Sequence, residues 1–245
     1  MSNISTKKVV QTDNNSLLKL GIHLGHKKSR WHPSMLPFVF EKRNNIYLMD
    51  IEKTQEKLIE AVEFIKDLYA NKEEMIFIGT KPNVRAFLHK FATENKLLYI
   101  TERWIGGILT NFTTIKKRIT RLQELEAKQK SQEFEAMSKK DKRVIIKEAE
   151  RLHRVWAGLG LLEKIPKALF LLDVPNSYLA ISEAKKQGIK TVAICDTDAD
   201  IRGIDYPIPA NDDSLPAIEY ILEKVAEAIK SGRGKTALPI EKPEQ

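Results

Sequence analysis

The sequence contains one cysteine, Cys195, among 245 residues. That excludes an internal disulfide and any multi-cysteine zinc site. Cys195 lies inside an apolar run and reads as a buried, inert thiol rather than a nucleophile. Long hydrophobic runs are missing as well: the stretch 168–172 is typical of the longest, far too short to span a bilayer. The N-terminal residues are polar (Ser2, Asn3, Lys7, Lys8), with no apolar stretch of signal-peptide type. These absences predict a soluble protein of a reducing compartment. Phosphate-loop, dinucleotide-loop and Gly-x-Ser-x-Gly signatures are also absent.

What is present is a core and an excess of positive charge. Hydrophobic residues make up 42%, enough for a buried core and too many for general disorder. Lys and Arg number 41 against 33 Asp and Glu, a net charge of +8. Such a balance points to a polyanionic partner. The charge is not spread evenly. Residues 112–157 hold 13 Lys/Arg against 7 Asp/Glu, which is +6 of the +8.

Short apolar stretches at 75–78, 97–100, 168–172 and 191–195, with a proline-bearing edge stretch near Tyr206, alternate with amphipathic segments. Continuous apolar strands between helices predict an α/β fold, a parallel sheet covered by helices on both faces. Two further strands, 38–42 and 46–49, flank the turn dipeptide Asn44-Asn45 and predict a short N-terminal β-hairpin. The alternation is interrupted at 111–160. There Phe112, Ile115, Ile119 and Leu122 follow a 3-4-3 spacing, and Ile145, Ala149, Leu152 and Trp156 a 4-3-4 spacing. Two such seams around a polar break predict an inserted antiparallel coiled-coil helical hairpin. Because each seam can bury the other, the sheet is expected to fold without it. The predicted organisation is a disordered tail at 1–15, a discontinuous α/β domain at 16–110 and 161–231, the hairpin at 111–160, and a disordered tail at 232–245.

Four constellations carry chemistry. The stretch 21–33 gathers His23, His26 and His32 beside Lys27, Lys28, Arg30 and Trp31. Cations for phosphates and rings for bases make it a candidate RNA contact, with a solvated basic loop as the plain alternative. Arg103, Gly106, Gly107 and Asn111 lie between a strand and the insertion, at the end of a parallel sheet where ligands bind; taken alone, a turn and a helix cap are the favoured account of them. Lys81 follows a strand and precedes a helix, either a phosphate site or an ordinary turn. Asp196, Asp198, Asp200 and Asp205 follow the apolar strand 191–195. Three readings compete there: capping, a mixed Zn²⁺ or Mg²⁺ site completed by His23 or His26, and a Mg²⁺-dependent phosphohydrolase using Asp196 and Asp198.

The order of motifs resembles a known family. Gly21-Ile-His-Leu-Gly-His and Trp31-His-Pro are followed by Phe77-Ile-Gly-Thr-Lys and Arg103-Trp-Ile-Gly-Gly-Ile-Leu-Thr-Asn. Then come Pro166-Lys-Ala-Leu-Phe-Leu-Leu-Asp, Glu183-Ala, Asp196-Thr-Asp and Ile208-Pro-Ala-Asn-Asp-Asp. Together, over about residues 17–233, they resemble the bacterial-type small-subunit ribosomal proteins of the S-two family. Glu102 stands where members carry His, and Ile105 where they carry Leu. The resemblance implies a flavodoxin-like (Rossmann-like) sheet, no enzymatic activity, no required cofactor and a place on the cytoplasmic ribosome. It implies 16S-type rRNA and neighbouring small-subunit proteins as partners, including the large mRNA-capturing one, with no membrane and no homo-oligomer. On this reading Lys27, Lys28, Arg30, Trp31, Lys81, Arg103, Gly106, Gly107 and Asn111 contact RNA from the body. Lys116, Lys117, Arg118, Arg121, Lys142, Arg143, Lys147, Arg151 and Arg154 neutralise phosphate along the insertion.

Overall fold

The computed structural model describes residues 13–235. The expected tails fall largely outside that range, at 1–12 and 236–245. Five strands form the central sheet: β4 (Met75–Ile78), β5 (Leu98–Ile100), β6 (Ala168–Leu171), β7 (Lys190–Cys195) and β8 (Tyr206–Pro209). All neighbouring pairs are parallel, in the order β5-β4-β6-β7-β8. Counted in chain order this is 2-1-3-4-5, which places the topological switch point between β4 and β6. Proline is tolerated twice in β8 because that strand is an edge.

Strand residues alternate between two cores, as a period of two requires. Phe77, Phe170, Val192, Ile194 and Ile208 face one side. There they pack on α2 (Ile51–Ala70), α3 (Pro82–Glu94) and α8 (Leu215–Lys235). Ile76, Ile78, Leu98, Ile100, Leu169 and Leu171 face the other, against α7 (Tyr178–Gln187). Helix α8 continues to Lys235 instead of ending at Ser231. Gly232 there is not a helix breaker: a Cβ on it would stand 2.5 Å from the Lys66 carbonyl of α2. It allows the two helices to approach, and Arg233 then lies over the Tyr69 ring and bonds to the Asn95 and Lys96 carbonyls.

The insertion comprises α4 (Phe112–Gln129), the short α5 (Gln132–Ala136) and α6 (Lys139–Trp156). Its apolar residues Ile115, Ile119, Leu122, Leu125, Ala149, Leu152 and Trp156 are buried, in one continuous cluster with the second face of the sheet. The insertion therefore shares a core with the sheet, whereas the seam spacing predicted an independent one. Its exit passes Gly158, where a Cβ would meet the Tyr99 carbonyl of β5 at 2.2 Å.

Ahead of the central sheet lie α1 (Asn14–Lys19), β1 (Leu24–Lys27), β2 (Val39–Arg43) and β3 (Ile46–Met49). The last three pair antiparallel in the order β1-β3-β2, with Asn44 and Asn45 at positive φ between β2 and β3. Strand β1 escapes sequence reading because Leu24-Gly-His-Lys lacks a strand's alternation.

Candidate nucleic-acid interface

The carboxyl ends of β6, β7 and β8 lead into three buried carboxylates: Asp173, Asp196 and Asp212. Two cations answer them. Lys81, after β4, reaches Asp212 Oδ1 at 2.5 Å and Asp213 Oδ1 at 2.7 Å. His26, on β1, places Nδ1 3.1 Å from Asp196 Oδ1, obliquely to the ring N–H, and Nε2 3.4 Å from Asp213 Oδ2. The Asp196 carboxylate, with Asp198 and Asp212 behind it, raises His26 to about 9 against the opposing effect of burial. Burial first, then the Asp196 charge, pushes Asp212 up to about 7 although Lys81 pulls it down. Burial would depress Lys81, but Asp212 and Asp213 hold it above the ordinary lysine value.

The N-terminal segment is tied down over this end of the sheet. The His26 amide donates to Thr197 Oγ1 at 2.7 Å, the His32 amide to the Thr197 carbonyl, and Ser34 Oγ to the Ala199 carbonyl. A cleft of about 560 Å³ remains at the rim, lined by His26, Lys27, Arg30, Asp196 and Asp213 among others. Lys27, Lys28 and Arg30 are exposed there. Trp31 is half-buried against Tyr47, ring centroids 5.2 Å apart, so one of its faces is already covered.

The loop bearing Arg103 is organised by a residue that spacing arguments did not single out. Glu183, on α7, is buried and accepts from Trp104 Nε1, the amides of Gly107, Leu109 and Thr110, and Thr110 Oγ1, at 2.8–3.2 Å. Burial would raise its carboxyl, but the donors, led by Gly107, hold it below the ordinary value. Besides its place in the motif Glu183-Ala, its signal in the sequence is an acid beside Ile181 and Ala184. Gly107 adopts φ +98°, which permits the turn. Arg103 is exposed and forms no ion pair among the described residues. Asn111 occupies the N-cap position of α4 without a side-chain cap bond, and the hydroxyl of the preceding Thr110 donates to Glu183. Glu102 lies 3.5 Å from Arg85.

On the insertion, Lys117, Arg118, Arg143, Lys147, Arg151 and Arg154 are exposed and form no ion pair among the described residues. Arg121 is engaged by Glu148 and Glu124, Lys116 by the Glu163 carbonyl, and Lys142 by the Glu135 carbonyl and the Phe134 ring.

Several expected residues stand elsewhere. His23 does not join the aspartates; it lines a separate cleft with Phe40 and Leu48, and burial lowers its pKa. Asp200 is drawn off by Arg202, which holds it at about 2, and Asp205 by Lys190 and the Thr191 amide. The candidate cation group thus contracts to His26, Asp196 and Asp198, whose ligand atoms lie within 4.8 Å of one another. Lys81, bound to two aspartates, is not a free phosphate ligand. The His26 imidazole, 3.1 Å from Asp196 and 3.9 Å from Asp198, leaves those two aspartates poorly placed as phosphohydrolase groups. No helix among the described residues is long and apolar enough to cross a membrane. Compared with known families, residues 17–232 match the model of the family described as Ribosomal protein S2.

Proposed function

The chain belongs to the ribosomal protein S2 family, structural and non-enzymatic components of the small ribosomal subunit that serve translation, and we propose that it acts there as an rRNA-binding scaffold. Its ligand is 16S-type rRNA on the cytoplasmic ribosome. Its protein neighbours are other small-subunit proteins, including the large mRNA-capturing one. The observation that carries this reading is electrostatic: most of the net charge sits on an insertion whose exposed cations largely lack acidic partners. Unpaired cations repel one another and are stabilised by a polyanion, whose counterions they release on binding.

We read α4 and α6 as a coiled-coil-like antiparallel hairpin arm spanning 111–160, on a body formed by 16–110 and 161–231. The contacts Gln123 to the Gly160 carbonyl and Lys116 to the Glu163 carbonyl support a return of the chain along α4. We read β2 and β3 as a short N-terminal hairpin that presents Lys27, Lys28, Arg30 and Trp31 beside it. Arg103, Gly106, Gly107 and Asn111 form a second, shaped contact held by Glu183. Co-sedimentation of tagged chain with small subunits through a sucrose gradient tests the assignment. Co-migration that survives moderate salt is expected; recovery only at the top of the gradient would refute it.

A second reading concerns a divalent cation, Zn²⁺ or Mg²⁺, at His26, Asp196 and Asp198. It is favoured by Asp198 Oδ1 and Asp212 Oδ2, both buried without a hydrogen-bond partner in the structure. Such an ion would replace the proton on His26 and staple β1 to the sheet. Metal analysis of purified protein with melting before and after chelation decides it: stoichiometric metal and a lower Tm support the site, no metal and an unchanged Tm remove it.

A further inference from the structure

Helix α6 carries Lys140, Arg143, Lys147, Arg151 and Arg154 at a 3-4-4-3 spacing. At 3.6 residues per turn these share one side of the helix, in a row about 21 Å long. All five are exposed, and none forms an ion pair among the described residues. The helix's own acids do not relieve them. Asp141 is bound by Ser138, Glu148 by Arg121, and Glu150 flanks the row unpaired. The opposite side of α6 is the buried seam of Ala149, Leu152 and Trp156, so the row points away from the body. Helix α4 has no equivalent. Its exposed, unpaired cations Lys117, Arg118 and Lys128 do not repeat at this spacing, and Arg121 is neutralised.

Like charges at i,i+4 destabilise a helix. A row that accepts this twice, at 143/147 and 147/151, fits a ligand that offers negative charge at the same interval. Four residues of helix rise about 6 Å, close to the spacing of successive phosphates along one strand of a nucleic acid. No aromatic side chain on this side is free to stack a base: Trp156 is buried and Phe134 lies under Lys142. The deep, narrow major groove of A-form RNA excludes a helix, and what lies across its shallow minor groove is contacted through 2′-hydroxyls and phosphates; a row made only of cations suits the phosphates.

We propose that the α6 row is a track for one strand of an RNA duplex, successive cations meeting successive phosphates. The proposal rests on the rRNA-binding reading and adds a ligand geometry to it. It predicts binding that is sequence-independent, strongly salt-dependent and concentrated on one face of the arm.

The test compares two full-length variants with equal charge loss from the insertion. One changes Arg143, Lys147, Arg151 and Arg154 to Gln; the other changes Lys117, Arg118, Lys128 and Lys130 to Gln. Gln keeps helix propensity and relieves repulsion, so the first should melt no lower than wild type at low salt. Affinity for a short RNA duplex of arbitrary sequence is read by anisotropy across a salt series. The track requires the first variant to lose about three to four units of slope in log K against log salt, and the second at most about one. Equal changes in both would overturn the track in favour of diffuse attraction and leave rRNA binding standing. A larger loss on single-stranded RNA than on duplex would overturn the duplex geometry. A wild type that binds neither the duplex nor small-subunit rRNA would overturn the functional reading and the track with it.

Discussion

Replacing Glu183 probes whether one carboxylate organises the Arg103 loop. Its two oxygens accept five hydrogen bonds, two on Oε1 and three on Oε2. A bond to a charged acceptor contributes about 1.5–3 kcal/mol, and bonds sharing one acceptor do not add. Removing one member of a buried charged network costs about 3–5 kcal/mol, because the partners left behind stay unsatisfied. We expect about 4 kcal/mol for Glu183→Ala. Glu183→Gln keeps the volume but turns an amide NH₂ toward donors, either Trp104 and Gly107 or Leu109 and Thr110. At least two N–H groups then lose their acceptor, at a cost of about 2 kcal/mol. The pH dependence follows from the lowered carboxyl value. A depressed acid stabilises the fold above its unfolded value, and the contribution fades as pH falls through the folded value. The gap between wild type and Glu183→Ala should thus be constant from neutrality to about pH 4.5 and narrow below it. Urea unfolding at pH 7, 5 and 4, with m held common, measures it. A Gln variant within about 0.5 kcal/mol of wild type, or a gap that widens on acidification, would refute the reasoning.

The His26 pair has the opposite sign. Held at about 9 in the fold against 6.5 unfolded, its contribution is complete below pH 6.5 and lost as pH rises through 9. Urea midpoints of wild type and His26→Ala should therefore converge between those values, and a constant gap would count against the ion pair. Gly158→Ala drives a Cβ to 2.2 Å from the Tyr99 carbonyl, and should cost about 1–3 kcal/mol by overpacking; an unchanged Tm contradicts the close approach. Replacing 112–157 by a Gly/Ser linker strips cover from Leu98 and Ile100 on the second face of the sheet. The product should bind ANS and lose its cooperative transition, whereas a sharp transition at the wild-type midpoint would show that the sheet needs no insertion. Arg103→Gln should weaken small-subunit rRNA more than a random duplex while flattening the salt slope by about one unit; equal losses on both would remove the shaped contact.

The sequence alone determined what depends on local pattern. Wholly apolar strands such as 75–78 and 168–171 can be buried only between two layers of helices, so the parallel sheet and its helices were legible from hydropathy. The place of the excess charge was a matter of counting, and the family followed from ordered motifs along the chain. Tertiary structure decided what depends on which groups meet. Lys81 and His26 looked free to bind a ligand, yet long-range partners at 212, 213 and 196 take them up. Asp200 and Asp205 lie near the right residues in sequence and are taken up by neighbours 2 to 15 residues away, and His23 lies in a separate cleft. Glu183 was invisible as an organiser, because its five donors lie more than 70 positions upstream. The tail expected from 232 onward gave no sign that α8 runs on, because the close approach that Gly232 permits to α2 needs both helices in place. Hydropathy and spacing are local properties of a chain, but charge pairing and close packing are decided only when distant segments share one place.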